Sequence, residues 1–186
     1  MKLTKSEIEA AAAVVYQGMA PTPQYSWPLL AEDVGGQVVV KHENHTPTGA
    51  FKCRGGLTFI DWLKNTHPDK TGIITATRGN HGQSQAYAAS RQGLSTTVYV
   101  PEGNSLEKNA AMRAFGAEVI IHGADFDEAR LECARVAATR DELFAVPAFH
   151  KGLVAGVSTY AYELFTAHPD LEVVYVPIGC GSGICG

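Results

Sequence analysis

Residues 72–101, GIITATRGNHGQSQAYAASRQGLSTTVYVP, read as strand, helix, strand. Residues 72–77 are short, apolar and β-branched, which suits a strand buried on both faces. Residues 80–92 are amphipathic and read as a helix. Residues 95–100 are again an apolar strand, closed by Pro101. Two strands joined through a helix form a parallel pair with a right-handed crossover.

The alternation continues on both sides of this unit. Downstream, residues 105–115, 125–139 and 152–167 read as helices, and 117–122, 143–146 and 171–178 as strands. Upstream, residues 37–43 (QVVVKHE) read as a valine-rich strand and 50–65 as a helix capped by Thr48. Residues 5–16 read as a helix with an alanine-rich face, and Pro21, Pro23 and Pro28 impose an extended connector after it. The pattern predicts an α/β fold whose mostly parallel sheet carries helices on both faces. Ligands of such sheets bind beyond the carboxyl ends of the strands.

Of the 186 residues, 45% are hydrophobic and 18% charged, which excludes a disordered chain. A formal net charge of −4 offers no electrostatic footprint for nucleic acid or an anionic membrane. No apolar run approaches the roughly 18 residues of a membrane span, and the N-terminus lacks the pattern of a signal peptide. Cys53, Cys133, Cys180 and Cys185 make no disulfide framework, so a reducing cytoplasm is the expected compartment. The chain stops at Gly186, in a glycine-rich turn after an apolar strand, and reads as part of a longer protein.

Three segments carry chemistry. In residues 41–56, KHENHTPTGAFKCRGG, Lys52 falls in the first turn of a helix. The helix N-terminus and nearby Arg54 disfavour a further positive charge there, which favours an amine nucleophile. Phe51 offers an aromatic surface beside it. In residues 77–84, TRGNHGQS, polar residues and glycines run from a strand end into a helix start. Backbone N–H groups there can bind a carboxylate, and Asn80 can hydrogen-bond a ring oxygen. In residues 179–186, GCGSGICG, small residues let the backbone approach an anion, with Ser182 as a further donor.

Other features are weaker. Gly181–Gly186 also fits the dinucleotide pattern G-x-G-x-x-G, which by itself says little. His42 and His45 lack partners for a metal site, and no metal is expected. Cys53 reads as a buried small residue. No nucleophile elbow, zinc-protease motif or P-loop occurs.

Together these segments resemble the fold-type II pyridoxal-phosphate enzymes, in the branch of threonine and serine dehydratases and serine racemase. Lys41-His-Glu43 and Thr48-Gly-Ala-Phe-Lys52-x-Arg54-Gly-Gly are similar to that family's K-x-E and T-G-S-F-K-x-R-G-A. Thr77-Arg-Gly-Asn-His81-Gly-Gln resembles its S-x-G-N-H-A-Q loop. Val100-Pro101 with Lys108, Phe115-Gly-Ala-Glu118-Val, and Gly156-Val-Ser-Thr159 with Glu163 follow in the same order. Gly179-Cys-Gly-Ser182 stands where the family has its phosphate loop.

The resemblance implies pyridoxal 5'-phosphate as cofactor, held as a Schiff base by Lys52, which also moves the Cα proton. It implies that Phe51 flanks the ring, that Asn80 bonds its oxygen, and that Gly179, Cys180, Gly181, Ser182 and Gly183 cradle the phosphate. Thr77, Gly79 and His81, with the Arg78 backbone, would hold the substrate carboxylate. The implied reaction is β-elimination from a hydroxy-amino acid such as L-threonine or L-serine, giving a 2-oxo acid and ammonia. Racemase, hydroxyaspartate ammonia-lyase and β-replacement synthase are alternatives on the same fold. An inactive fragment and a nicotinamide-binding protein are alternatives of another class.

The resemblance further implies a two-lobed molecule like the tryptophan synthase β chain, and a homodimer at full length. Residues 1–68 and 150–186 would belong to an incomplete large domain, and 69–149 to a small one. Two departures stand out. Arg78 takes a position where the family has a small residue, and it could reach an anionic substrate side chain. Cys180 and Ser182 replace glycines in the phosphate loop.

Overall fold

The computed structural model describes residues 2–186. It opens with helix α1 (Lys5–Gly18). Thr4 and Glu7 cap it reciprocally, each side chain accepting the other's backbone N–H. The proline-rich stretch that follows is more structured than an extended connector. Strand β1 (Gln24–Ser26) and helix α2 (Pro28–Val34) come first, and strand β2 (Val39–Lys41) then pairs antiparallel with β1. The sequence reading missed α2 because it took Pro28 as a breaker. Pro28 stands at the first helical position, where a missing N–H is no loss.

A short 3₁₀ turn (Glu43–His45) leads into helix α3 (Lys52–Thr66). Thr48 does not cap α3. Thr46 organises the turn instead, accepting the Ala50 N–H at 2.9 Å and donating to the Ala50 carbonyl at 2.8 Å.

From here the alternation runs as the sequence predicts: β3 (Gly72–Ala76), α4 (Asn80–Arg91), β4 (Ser95–Val100), α5 (Leu106–Ala114), β5 (Glu118–Ile121), α6 (Phe126–Ala137) and β6 (Leu143–Ala145). The four strands β3 to β6 form one parallel sheet in the order β5-β4-β3-β6. Neighbouring side chains face opposite ways. Ile73 joins the cluster built by α1, α3 and α4, and Val98 and Val100 pack against Met112 of α5. Ile74 and Tyr99 pack against Ala129 and Cys133 of α6. The sheet is therefore buried on both faces, which is why its strands read as continuous apolar runs. Each fully buried valine or isoleucine contributes roughly 1.5–3 kcal/mol.

Helix α7 (Lys151–Ala167) follows, its first turn capped by His150. It crosses α3 where glycines permit close approach. A methyl group on Gly156 would come within 2.2 Å of both the Arg54 carbonyl oxygen and Thr58 Oγ1. Residues 171–178, read from sequence as a strand, form none. A strand needs a neighbour to accept its ladder, and no backbone pairing to this segment exists among the described residues. Val173, Val174, Tyr175 and Ile178 are consequently exposed. The chain closes with the single turn α8 (Ser182–Cys185). No helix among the described residues is long and apolar enough to cross a membrane.

The close α3–α7 crossing makes a prediction. Gly156→Ala forces two backbones apart, because the obstructing carbonyl cannot rotate away. It should cost roughly 1–3 kcal/mol and lower the thermal midpoint by about 2–10 °C. Gly36→Ala, with nothing within 4 Å, should leave the midpoint nearly unchanged. Thermal unfolding followed by circular dichroism compares the two.

Candidate active site

Lys52 is the first residue of α3, set there by the Thr46 turn. Ser84 of α4 fixes the helix start by donating to the Lys52 carbonyl at 2.6 Å. The Lys52 ammonium lies 3.5 Å from Ser182 Oγ and 5.0 Å from the Phe51 ring centroid. Lys52, His81, Ser84 and Ser182 line one small cavity of about 10 Å³, closed by Leu153 and Val157 of α7. Such a space holds about one water. Three stretches far apart in sequence thus meet at one cavity.

His81 Nε2 is sealed from solvent and has no hydrogen-bond partner. Burial, with the charge on Lys52 adding to it, pushes its pKa down to about 4. His81 is therefore neutral near pH 7 and keeps an unused polar atom at the cavity wall.

The loop before α4 is built on Thr77, which is buried and accepts the Gly79 N–H at 3.1 Å. Arg78 and Asn80 are exposed and do not line the small cavity. At the other end, Tyr160 of α7 donates to the Gly183 carbonyl at 2.7 Å and holds the glycine turn against Phe51. Gly181 sits at φ +94°, in the left-handed region that suits glycine. No acceptor among the described residues takes the backbone N–H of Gly179, Cys180 or Gly181. The Ser182 hydroxyl, next along the turn, stands 3.5 Å from the Lys52 ammonium. The G-x-G-x-x-G stretch lacks the strand that a dinucleotide site requires before it. Among the described residues no group of histidines, cysteines and carboxylates could hold a metal ion.

Arg54 is not the neighbour of Lys52 that the sequence suggested. It is wholly buried on the other side of α3 and lies between two carboxylates. Its Nε and Nη2 donate to Glu43 at 2.8 and 2.9 Å, and its Nη1 donates to Glu163 at 2.6 Å. Thr159 and Thr22 accept further bonds from the guanidinium, and Lys41 pairs with Glu163. Lys41, Glu43, Arg54, Thr159 and Glu163 were all visible as motif residues. Their shared role was not, because nothing in the spacing says that they converge.

Residues 15–186 match the sequence model of a family described as pyridoxal-phosphate dependent enzyme. The chain is 33% identical to the biosynthetic L-threonine dehydratase of Pasteurella multocida, over 92% of this chain and 33% of that protein. It is 38% identical to an L-threonine ammonia-lyase of Geobacter sulfurreducens, over 84% of this chain and 39% of that one. Among solved structures it resembles a pyridoxal 5'-phosphate-dependent aspartate racemase with a TM-score of 0.91 and 30% identity, covering 99% of this chain and 57% of that one. It also resembles the processed threonine deaminase isoform 2 of Solanum lycopersicum, with a TM-score of 0.86 and 26% identity, covering 98% and 54%. The chain thus spans roughly a third of these curated relatives and just over half of these solved chains.

The buried charges generate a pH prediction. Burial opposes the negative charge on Glu163, but hydrogen bonds from Arg54 and Lys41 outweigh it and hold the carboxyl below the usual range. A lowered folded value gives stability that is complete above the unfolded carboxylate value, about 4.3, and is lost as pH falls through the folded value. Glu163→Gln should cost about 3–5 kcal/mol near neutrality, since it strips Arg54 and Lys41 of one carboxylate. It should also flatten the acid limb of the thermal midpoint against pH. Melting curves from about pH 3 to pH 8 read both effects.

Proposed function

Because this chain belongs to the pyridoxal-phosphate dependent enzyme family, we propose that its residues carry the lysine side of a β-elimination site acting on a hydroxy-amino acid. The observation that supports this most is the meeting of the Lys52 amine, His81 and Ser182 on one cavity. L-Threonine and L-serine are the simplest substrates of this kind, and the curated relatives are named for threonine.

The residues fit the cofactor chemically. The unengaged N–H groups of the glycine turn and the Ser182 hydroxyl suit its phosphate, and the unpartnered His81 Nε2 marks a place for a polar ligand atom. The amine–hydroxyl contact that closes the cavity is long, at 3.5 Å, and gives way readily. When bound, pyridoxal phosphate supplies an aldehyde that takes up amines and a ring that draws off the electron pair at Cα.

This chain's own groups do the rest. Lys52 Nζ would hold the cofactor and would take the proton from the substrate Cα. Phe51, beside the Lys52 amine, would flank the ring, and Asn80 would hydrogen-bond its oxygen. Gly179, Cys180, Gly181, Ser182 and Gly183 would hold the phosphate. Thr77, Gly79 and His81, with the Arg78 backbone, hold the substrate carboxylate at the N-terminus of α4. The Cα–H and Cβ–O bonds break, the hydroxyl leaves as water, and hydrolysis of the remaining unsaturated amine gives the 2-oxo acid and ammonia.

Residues 69–149 form the small lobe in this reading, and 1–68 with 150–186 the part of the large lobe that bears Lys52. The protein acts as a dimer in the cytoplasm, where its four free cysteines stay reduced.

The test is chemical. Borohydride reduction of the holoenzyme should fix the cofactor on Lys52, seen as a mass-shifted peptide. Lys52→Ala should lose that label and lower 2-oxo acid formation by at least about 10²–10⁴-fold. A D-amino acid as the main product would replace elimination by racemisation. Failure to take up pyridoxal phosphate would end the proposal.

A further inference from the structure

One wall of the Lys52 cavity is a continuous stretch of chain. Ala148 lies just before helix α7, and Leu153 and Val157 lie in its first two turns. The stretch is pinned between them at His150. The ring Nδ1 accepts the Gly152 N–H at 3.0 Å, and the His150 carbonyl accepts the Val154 N–H at 3.0 Å. Thr58 of α3 donates to the Gly152 carbonyl at 2.7 Å, so the first turn of α7 is tied on both sides. A methyl group on Gly55, which also lines the cavity, would come within 2.6 Å of the Leu153 carbonyl oxygen. A shift of that turn therefore reaches the cavity lining directly.

An imidazole is an uncommon helix cap, and its capping atom takes up a proton near neutral pH. In the neutral ring the bare Nδ1 accepts and the ring proton sits on Nε2. Protonation puts a hydrogen on Nδ1. The cap then turns an N–H toward the Gly152 N–H, and a positive charge stands at the positive end of a 17-residue helix. The surroundings offer that charge no carboxylate. From α3 the partly buried ring meets Phe59 and Trp62, with centroids 5.2 and 4.4 Å away. His67 lies beyond, against Trp62 and Phe144. Lys151, the next residue, pairs with Glu7 of α1. Among the described residues His150 itself forms no ion pair. Burial holds the imidazole pKa below its ordinary value.

We propose that His150 is a positioning residue of the Lys52 site: neutral, it holds the wall from Ala148 to Val157 in place, and protonated, it releases the first turn of α7. This rests on the reading of the Lys52 cavity as the reacting site. The folded-state value lies below the ordinary histidine value of about 6.5. The stability that the cap supplies is therefore complete above the ordinary value and is lost as pH falls through the folded one. Glu163, a carboxylate held below its usual range, takes its proton only at lower pH. The two groups thus act in separate windows, and only His150 adjoins the cavity wall.

The experiment compares the wild type with His150→Asn, whose side-chain oxygen caps a helix without titrating. The histidine ring signals of the wild type, followed by nuclear magnetic resonance, need no variant and should place His150 below about 6.5. A value at or above that, as attraction to the Trp62 face would give, overturns the proposal. Amide hydrogen exchange from Gly152 to Val157 is read as the ratio of wild type to variant at each pH. That ratio should rise about 10-fold from about pH 8 to about pH 5, and a constant ratio overturns the proposal. In the holoenzyme the acid limb of kcat/KM for 2-oxo acid formation should be steeper in the wild type than in the variant. Coincident acid limbs with a rising exchange ratio overturn the positioning role and leave the elimination reading intact. No 2-oxo acid from either protein ends the elimination reading. A rising ratio at Leu153 and Val157 then upholds the release of the cavity wall, and a constant one overturns it.

Discussion

Arg54 carries a permanent charge with no exposure to water. A buried charge of this kind is tolerable when its donors are matched by well-placed acceptors. Here Glu43 after β2 and Glu163 on α7 take the guanidinium from two sides, and Thr22 and Thr159 take further donors. Tyr16 of α1 reaches the same Glu163 at 3.0 Å. Arg54 therefore ties α3 to the connector after α1, the segment after β2, and α7, and α1 joins the cluster through Glu163. Lys52 lies two positions earlier on α3, so the direction of its amine is set by how that cluster clamps the helix. The cluster restricts the site without entering it.

The geometry of a helix also explains why Arg54 was misread. Residues two apart on a helix do not share a face, whereas residues three apart do. Lys52 consequently shares its cavity with Gly55, and Arg54 turns toward the carboxylates. The sequence shows adjacency, and the fold converts it into opposition.

Much of the fold was legible for a related reason. The two central strands β3 and β4 are buried on both faces, so their apolar runs identify them without any knowledge of neighbours. Residues 171–178 have the same composition, and that resemblance misled. Strand formation is completed by pairing, and pairing is not written in the segment itself. That Lys52, the turn before α4 and the glycine turn carry chemistry-bearing residues was legible in the sequence, and the fold brings Lys52, His81 and Ser182 to one cavity. The supports were not. Ser84 on the Lys52 carbonyl and Tyr160 on the Gly183 carbonyl are long-range contacts to backbone atoms, which leave no pattern in spacing.

The order of the sheet accounts for where the site lies. From β3 the chain crosses to β4 and then β5 on one side, while β6 occupies the other. The carboxyl end of β3 is thus the point at which the strand order reverses, and connections on either side leave a crevice there. Residues 77–81 emerge from that end, and Ala148, just after β6, lines the Lys52 cavity from the other side of the reversal. Helix α3 then presents Lys52 to the crevice from outside the sheet. The lysine is supplied by α3 and the turn at residues 77–81 by the end of β3 and the start of α4. Small shifts between α3 and α4 will change the distance between the Lys52 amine and residues 77–81. Ser84, which joins those two helices at the Lys52 carbonyl, is the contact that sets it.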